Sequence, residues 1–408
     1  MSLFREIPPT AGLPIQGKDF LSSSLGKKAT DILENDFKDY LGVPFAKVTY
    51  SGTAAFYIIL ESLRQFSDKK TVIIPSFICP LIPLAIARAG FKVLVCDINK
   101  DNFDYDAAML NRLCSNNPDI LAILVVHLAG IPVDLEKIQQ IIKEKNIFII
   151  EDCAQALGAV CKGKKVGTLG DFAFFSLCRG KGLTIYEGGV IIAKKKEYIS
   201  AIETTSKVII NTDYLSEGIK VLELLGYWVF YRPILFWFVF RLPQAFWELL
   251  GKPEKAAIEY FSIDFPLHKV SGIRKAFGHS AFKRLDKEIS KQRQKIQYYI
   301  ADLKGNRKIN LVLESTGDYS NYPYLSIIFD NSSDRDKVIN EFKNSGLGIS
   351  QIYLKAITDY DYLKDILPDT DCPNARSLAK RHITLSTSLF LTDLDLAKIT
   401  ERMNKTLL

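Results

Sequence analysis

Residues 119–155 read DILAILVVHLAGIPVDLEKIQQIIKEKNIFIIEDCAQ. Two apolar runs, DILAILVVHL and IFIIEDCAQ, flank DLEKIQQIIKEKN, whose apolar residues recur at helical spacing. Strand, helix and strand in that order suit two parallel strands joined by a crossover, and near-continuous apolar runs are what strands covered on both faces require. The alternation extends from about residue 47 to 195. VTYSGTAAFYIILESLRQF predicts a short strand, a tight turn and an amphipathic helix; KTVIIPSF predicts a strand, CPLIPLAIARAG a helix ended by Gly90, and FKVLVCDI a further strand. The expected class is α/β, a large domain with a mainly parallel sheet covered by helices. Ligands of such sheets sit at the carboxyl ends of the strands. Three features fall there: Ser51–Gly52–Thr53, Asp152, and the Lys181 loop in FSLCRGKGLTIYEGGV (175–190).

After about residue 266 the texture changes. SAFKRLDKEISKQRQKIQYYIADLKG predicts a long charged helix, NYPYLSIIFD a strand, SDRDKVINEFKNSG a capped helix, and ARSLAKRHITLS a helix running into an extended piece. The expected organisation is an N-terminal segment and large domain over 1–205, an apolar helical insertion over 206–265, and a smaller α+β domain over 266–408. The 408 residues, 48% hydrophobic and 24% charged, are globular in composition and longer than one compact core usually holds. A net charge of +7 is mild at this length, and no stripe of basic residues interleaved with aromatics points to nucleic acid. Seven cysteines, an odd number with no CxxC pair, and four scattered histidines argue against a disulfide framework or a metal centre. MSLFREIPPTAGLP lacks an apolar stretch of signal-peptide length, so a reducing, cytoplasmic setting is expected.

Each of the three features has an ordinary reading. A serine or threonine before a helix is usually an N-cap, a carboxylate at a strand end is often a loop cap, and a lysine is usually solvated. Together they gain meaning. A lysine shielded from water attacks carbonyls, and pyridoxal phosphate needs a lysine for its aldehyde, a carboxylate for its ring nitrogen and a cradle of N–H groups for its phosphate.

At this point the chain resembles the DegT-like family of sugar aminotransferases, fold-type-I pyridoxal-phosphate enzymes. The resemblance runs through YSGTAAFYIIL, through HLAGIPVDLEKI with His127, Gly130 and Asp134, through IIEDCAQALGAVCKGKKVGTLGDFAFFSL, and through CPNARSLAKRHITLSTSLFLT. It implies that Lys181 is the Schiff-base lysine and proton shuttle, that Asp152 partners the ring nitrogen, that Gln155 lies beside the phenolate oxygen, and that Gly52, Thr53 and Ser176 contact the phosphate. It further implies a homodimer that moves an amino group, most often from glutamate, to a nucleotide- or lipid-linked keto-sugar in surface polysaccharide synthesis. Two other outcomes stay open: another reaction on the same cofactor, although the dehydratase branch replaces the lysine with histidine, and a non-catalytic member with a binding or regulatory role.

The chain departs from the family in three places. Where relatives carry a ring-stacking aromatic stands Cys79, with Phe77 two residues earlier, so either Phe77 covers the ring or stacking is weaker. No asparagine accompanies Arg274 in SGIRKAFGHSAF, the segment that reaches the partner subunit's phosphate in relatives; Arg274 or His279 is the expected substitute, with Arg179 adding positive charge. Finally, VLELLGYWVFYRPILFWFVFRLPQAFWELL (221–250) is apolar where relatives are polar. It is compatible with a hairpin buried in a dimer interface, a segment lying on the inner face of a membrane, or a true span, although Arg232, Pro233 and Arg241 interrupt it.

Overall fold

A computed structural model describes residues 4–23, 31–250 and 260–408. The large domain contains β1 (Phe45–Thr49), β2 (Thr71–Pro75), β3 (Lys92–Cys96), β4 (Ile120–Val126), β5 (Phe148–Asp152), a hairpin of β6 (Val160–Cys161) and β7 (Lys164–Lys165), then β8 (Phe172–Ser176) and β9 (Gly189–Ala193). Seven of these strands form one sheet in the order β1-β9-β8-β5-β4-β2-β3. The pairs from β8 through β3 are parallel; β9 is antiparallel to both neighbours, so β1 runs with the rest. The carboxyl ends of β1, β2, β4, β5 and β8 therefore share one edge, where the sequence placed its three features.

Both faces are packed, which explains the unbroken apolar runs. Val72, Ile74, Leu124, Ile150, Phe172 and Phe174 lie with Phe56 of the helix Gly52–Leu63 on one face. Ile73, Ile123, Val125 and Ile149 face the other way, continued by Ala173 and Phe175. Each such side chain contributes roughly 1.5–3 kcal/mol by leaving water.

A second, antiparallel sheet holds β10 (Ile309–Val312), β11 (Tyr324–Phe329), β12 (Ile349–Ser350) and β13 (His382–Ser386) in the order β10-β11-β13-β12. The helices Leu285–Leu303, Ser332–Phe342 and Asp393–Thr406 cover it, joined in its core by Ile7. The N-terminal segment is tied there by Ile7 N–H to the Gly346 carbonyl (2.9 Å) and by the Ser386 hydroxyl to the Pro8 carbonyl (2.7 Å). Phe277, by contrast, packs in the core of the large domain. The single charged helix expected from Ser280 onward is two, Gly272–Phe282 and Leu285–Leu303. At their junction Arg284 is held by Asp19 (2.7 and 2.9 Å) and by the Pro14 carbonyl (3.1 Å). Asp97, at the end of β3, accepts from the N–H groups of Asn374 and Ala375 and caps the helix Pro373–Arg381 of the small domain.

The apolar segment forms the helix Tyr214–Phe230, the short helix Pro233–Phe236, a π-helical turn Trp237–Arg241 and the helix Leu242–Leu249. The first arm meets Pro233–Trp247 at 111°, and among the described residues no single helix is long and apolar enough to cross a membrane. Helical spacing divides the first arm into two stripes. Leu215, Ile219, Leu222, Leu225 and Val229 are exposed, whereas Glu217, Leu224 and Tyr231 are buried against the protein.

Candidate active site

The sheet edge brings the predicted residues into two neighbouring groups. In the first, Ser51 caps the helix Gly52–Leu63, its Oγ accepting from Ala54 N–H (3.0 Å). The N–H groups of Gly52 and Thr53, in the first helical turn, have no helical acceptor, and the helix dipole makes that end favourable for an anion. Gly52 lies against the end of β8: a Cβ there would come 3.1 Å from the Cβ of Ser176. Thr53 and Ser176 are half-buried. Gly52, with Thr53 next to it in the helix, thus lies against Ser176, from two strand ends that the sequence separates by more than a hundred residues.

The second group is Asp152, Cys79 and Lys181. Asp152 ends β5, and its Oδ1 accepts from Ala154 N–H (2.9 Å). Burial pushes its carboxyl up to about 6, while that hydrogen bond and the nearby Lys181 ammonium pull it back. Burial also pushes the Cys79 thiol up to about 11, with the charge of Lys181 lowering it and that of Asp152 raising it. Lys181 is half-buried in a turn closed by its own N–H to the Cys178 carbonyl (3.3 Å). Gly180 before it has φ +73°, and a Cβ there would lie 2.5 Å from the hydroxyl of Thr10. That glycine is required by left-handed backbone and by the N-terminal segment crossing it.

Gln155 stands beside these groups with a defined orientation. Its Oε1 accepts from Ala129 N–H (3.0 Å) and from the Tyr324 hydroxyl, so its Nε2 is the end left to donate to a ligand. Asn321 bonds the Gln155 carbonyl (3.0 Å) and fills the space where a Cβ on Gly130 would stand, 2.0 Å from its Oδ1. Gly130, at φ +74°, is glycine for that reason.

Other residues are placed differently from expectation. Phe77 is buried, in edge contact with Tyr353 (centroids 5.2 Å apart) and parallel to Phe103 (6.2 Å). Arg274 is fully buried, paired through Nε with Glu217 (3.0 Å) and through its terminal nitrogens with Glu217 and the carbonyls of Ile185 and Glu187. His279 is paired with Asp36 (2.8 Å). Both are committed within their own chain. Arg179 lies over the Tyr186 ring (5.0 Å). His127 is a strut: its Nδ1 accepts from Val133 N–H (3.0 Å) and its Nε2 meets Glu151 (3.1 Å), which also accepts from the N–H groups of Gly167, Leu169 and Gly170. Cys153 lies beside this pair, its Sγ within 4.8 Å of their ligand atoms. Tyr324 and Tyr353, both from the small domain, went unnoticed in the sequence. Burial raises the Tyr353 phenol well above its ordinary value, with Cys79 and Asp152 adding to the shift.

The family model described as DegT/DnrJ/EryC1/StrS aminotransferase family matches residues 18–219 and 267–404. The chain belongs to that family. A UDP-4-amino-4,6-dideoxy-N-acetyl-beta-L-altrosamine transaminase of Campylobacter jejuni is 25% identical over 366 residues, covering 88% of this chain and 85% of the relative. Among solved structures, the Helicobacter pylori aminotransferase PseC, involved in the biosynthesis of pseudoaminic acid, superposes with a TM-score of 0.77 at 18% identity, covering 99% of each chain. The Escherichia coli GDP-4-keto-6-deoxy-D-mannose-3-dehydratase with bound hydrated PLP superposes with a TM-score of 0.74 at 18% identity, covering 98% of this chain and 100% of that one. The DegT/DnrJ/EryC1/StrS fold expected from the sequence, fold type I, is therefore the fold of this chain. It carries more than one chemistry, so the reaction has to be argued from the site. The family match leaves out residues 220–266, which hold most of the bent apolar segment and the chain between it and the small domain.

Proposed function

We propose that the protein is a pyridoxal-phosphate-dependent aminotransferase that moves an amino group from an amino acid, glutamate first among candidates, to a keto-sugar carried on a nucleotide or a lipid, in surface polysaccharide synthesis. The observation that carries this is the cradle, the buried carboxylate and the half-buried lysine at the carboxyl edge of one parallel sheet. The donor set fits the cofactor: free first-turn N–H groups and hydroxyls for a phosphate, a buried carboxylate for a cationic ring nitrogen, an oriented amide donor for a phenolate oxygen. When bound, pyridoxal phosphate supplies the aldehyde that takes up the amino group and a ring that draws electrons from the bond being broken. Gly52, Thr53 and Ser176 bind the phosphate. Asp152 holds a proton at the ring nitrogen through a charge-assisted hydrogen bond. Gln155 orients the ring by donating to its oxygen, and Lys181 Nζ moves the proton at the substrate carbon. A lysine in this place, where the dehydratase branch has histidine, favours transamination over dehydration. Addition of glutamate to the purified protein is expected to change the visible absorbance of the bound cofactor, and a keto-sugar added next is expected to return it, with the amino-sugar found by mass spectrometry. No spectral change with any common amino acid would overturn the proposal.

We further propose that the enzyme is a cytoplasmic homodimer, and that the bent apolar segment 221–250 rests on the inner face of a membrane. Seven free cysteines suit a reducing compartment. The family match omits residues 220–266. Within that stretch Leu222, Leu225 and Val229 of the first arm, and Ile234, Phe238, Val239, Leu242 and Phe246 of the second, are exposed. Exposed apolar surface of this extent marks an interaction site, and two apolar arms with aromatic residues suit the lipid interface. The tryptophans are poor test positions, since Trp228 packs on Phe20 and Trp237 on Phe4. In flotation with phosphatidylglycerol vesicles, the wild-type protein is expected to rise, and a variant with Leu222, Val229, Ile234 and Phe246 changed to serine is expected to stay down. Wild-type protein that stays at the bottom overturns the membrane proposal.

A further inference from the structure

The inner stripe of the helix Tyr214–Phe230 reaches the lysine loop at both ends. At the far end Lys220 Nζ pairs with Glu187 (2.9 Å), and Glu217 holds Arg274, which in turn bonds the carbonyls of Ile185 and Glu187. At the near end the hydroxyl of Tyr227 accepts from Gly180 N–H (3.2 Å), the residue directly before Lys181. Tyr227 is itself fixed: its ring stacks on Tyr231 at 4.4 Å and 30°, and the Tyr231 hydroxyl donates to the Thr10 carbonyl (3.1 Å), beside the hydroxyl that crowds Gly180. Burial raises the Tyr227 phenol well above its ordinary value, so it stays a neutral hydroxyl. A loop of two glycines around a lysine has little side-chain packing of its own to hold it, and here a helix mostly outside the family match supplies the hold.

We infer that the helix braces the lysine loop and that Tyr227 is a positioning residue, fixing Lys181 through the amide of Gly180. The inference rests on the role proposed for Lys181, and its test separates the two. Tyr227→Phe keeps the ring and removes only the oxygen. In the cofactor-free full-length protein, hydrogen exchange at the Gly180 amide is expected to quicken about tenfold, the protection one hydrogen bond of ordinary net strength gives. Exchange in the strands β4 and β5 is expected to stay unchanged. In the loaded enzyme kcat is expected to fall about fivefold to tenfold with the KM for the amino donor little altered, the signature of a misplaced group rather than a lost binding contact. Tyr231→Phe, which removes the bond to Thr10 and keeps the bond to Gly180, is expected to leave Gly180 exchange within about twofold of wild type. Unchanged exchange at Gly180 in Tyr227→Phe overturns the brace whatever Lys181 does, and faster exchange with unchanged kcat overturns the positioning role. If the cofactor proves to be attached to another lysine, the role of Lys181 fails while the exchange result still reports on the brace.

Discussion

Lys181→Ala is expected to stop turnover, by on the order of 10⁴-fold or more, because one side chain is asked both to hold the cofactor covalently and to carry the proton at the reacting carbon. The loss should be confined to chemistry. Lys181 is half-buried, makes no ion pair within 4 Å among the described residues, and stands in a turn closed by backbone atoms, so its truncation removes little packing. The variant should therefore unfold close to the wild-type temperature and keep the cradle at Gly52, Thr53 and Ser176, binding the cofactor reversibly. Borohydride reduction followed by peptide mapping should find the cofactor attached at Lys181 in the wild type and at no residue in the variant. An adduct on another lysine would mean that Lys181 is only the solvated loop residue that its type usually is. The neighbourhood of Lys181, not its type, argues otherwise: it stands half-buried in the loop after β8, beside the strand β5 that Asp152 ends.

That neighbourhood shows what the sequence made legible. The strands β4, β5 and β8 could be read because strands covered on both faces are written as apolar runs, and β1 because a tight turn and an amphipathic helix follow it; a residue closing such a strand must lie at the sheet edge. Position along the chain therefore gave position in space for Gly52, Asp152, Ser176 and Lys181. Contacts between the two sheets left no such mark. Tyr324 and Tyr353 sit in or beside short small-domain strands, and nothing in NYPYLSIIFD says that its second tyrosine, Tyr324, turns to Gln155. Glu151 had a signal that went unused. Adjacent residues of a strand point to opposite faces, so if Asp152 meets ligand, Glu151 must point into the interior and need buried partners; it finds His127 and three backbone N–H groups. Arg274 looked available for a phosphate because the sequence does not show that Glu217, 57 residues away, lies against it. The apolar stretch 221–250 was conspicuous in composition, but its division into an outer apolar stripe and an inner stripe that grips the lysine loop appears only when Leu222 and Tyr227 are placed on one helix.

Asp152→Asn should separate what this carboxylate does for catalysis from what it costs the fold. With the cofactor bound, the variant should lose roughly 10²–10³-fold in turnover, the range found when a charge-stabilising partner of a reacting group is removed. Its covalent attachment at Lys181 should persist, since that step uses the aldehyde and not the ring nitrogen. Without the cofactor the direction reverses. Burial raises the Asp152 carboxyl from 3.8 to about 6, against the pull of Ala154 N–H and Lys181. An acid whose folded value lies above its unfolded one adds stability that is full below the unfolded value and is lost as pH rises through the folded one. The window is therefore about pH 4 to 6, and the two-unit difference corresponds to on the order of 3 kcal/mol. Asparagine cannot ionise, keeps an oxygen for Ala154 N–H, and escapes that loss. Thermal unfolding of the cofactor-free proteins should accordingly find Asp152→Asn close to wild type at pH 4 and more stable at pH 8, while the loaded variant is nearly inactive at both. Near-full turnover would show that the ring nitrogen has another partner. Lost turnover without the gain at pH 8 would show that the carboxyl is solvated enough to titrate normally, and that its buried charge is not held in readiness for a cationic ring.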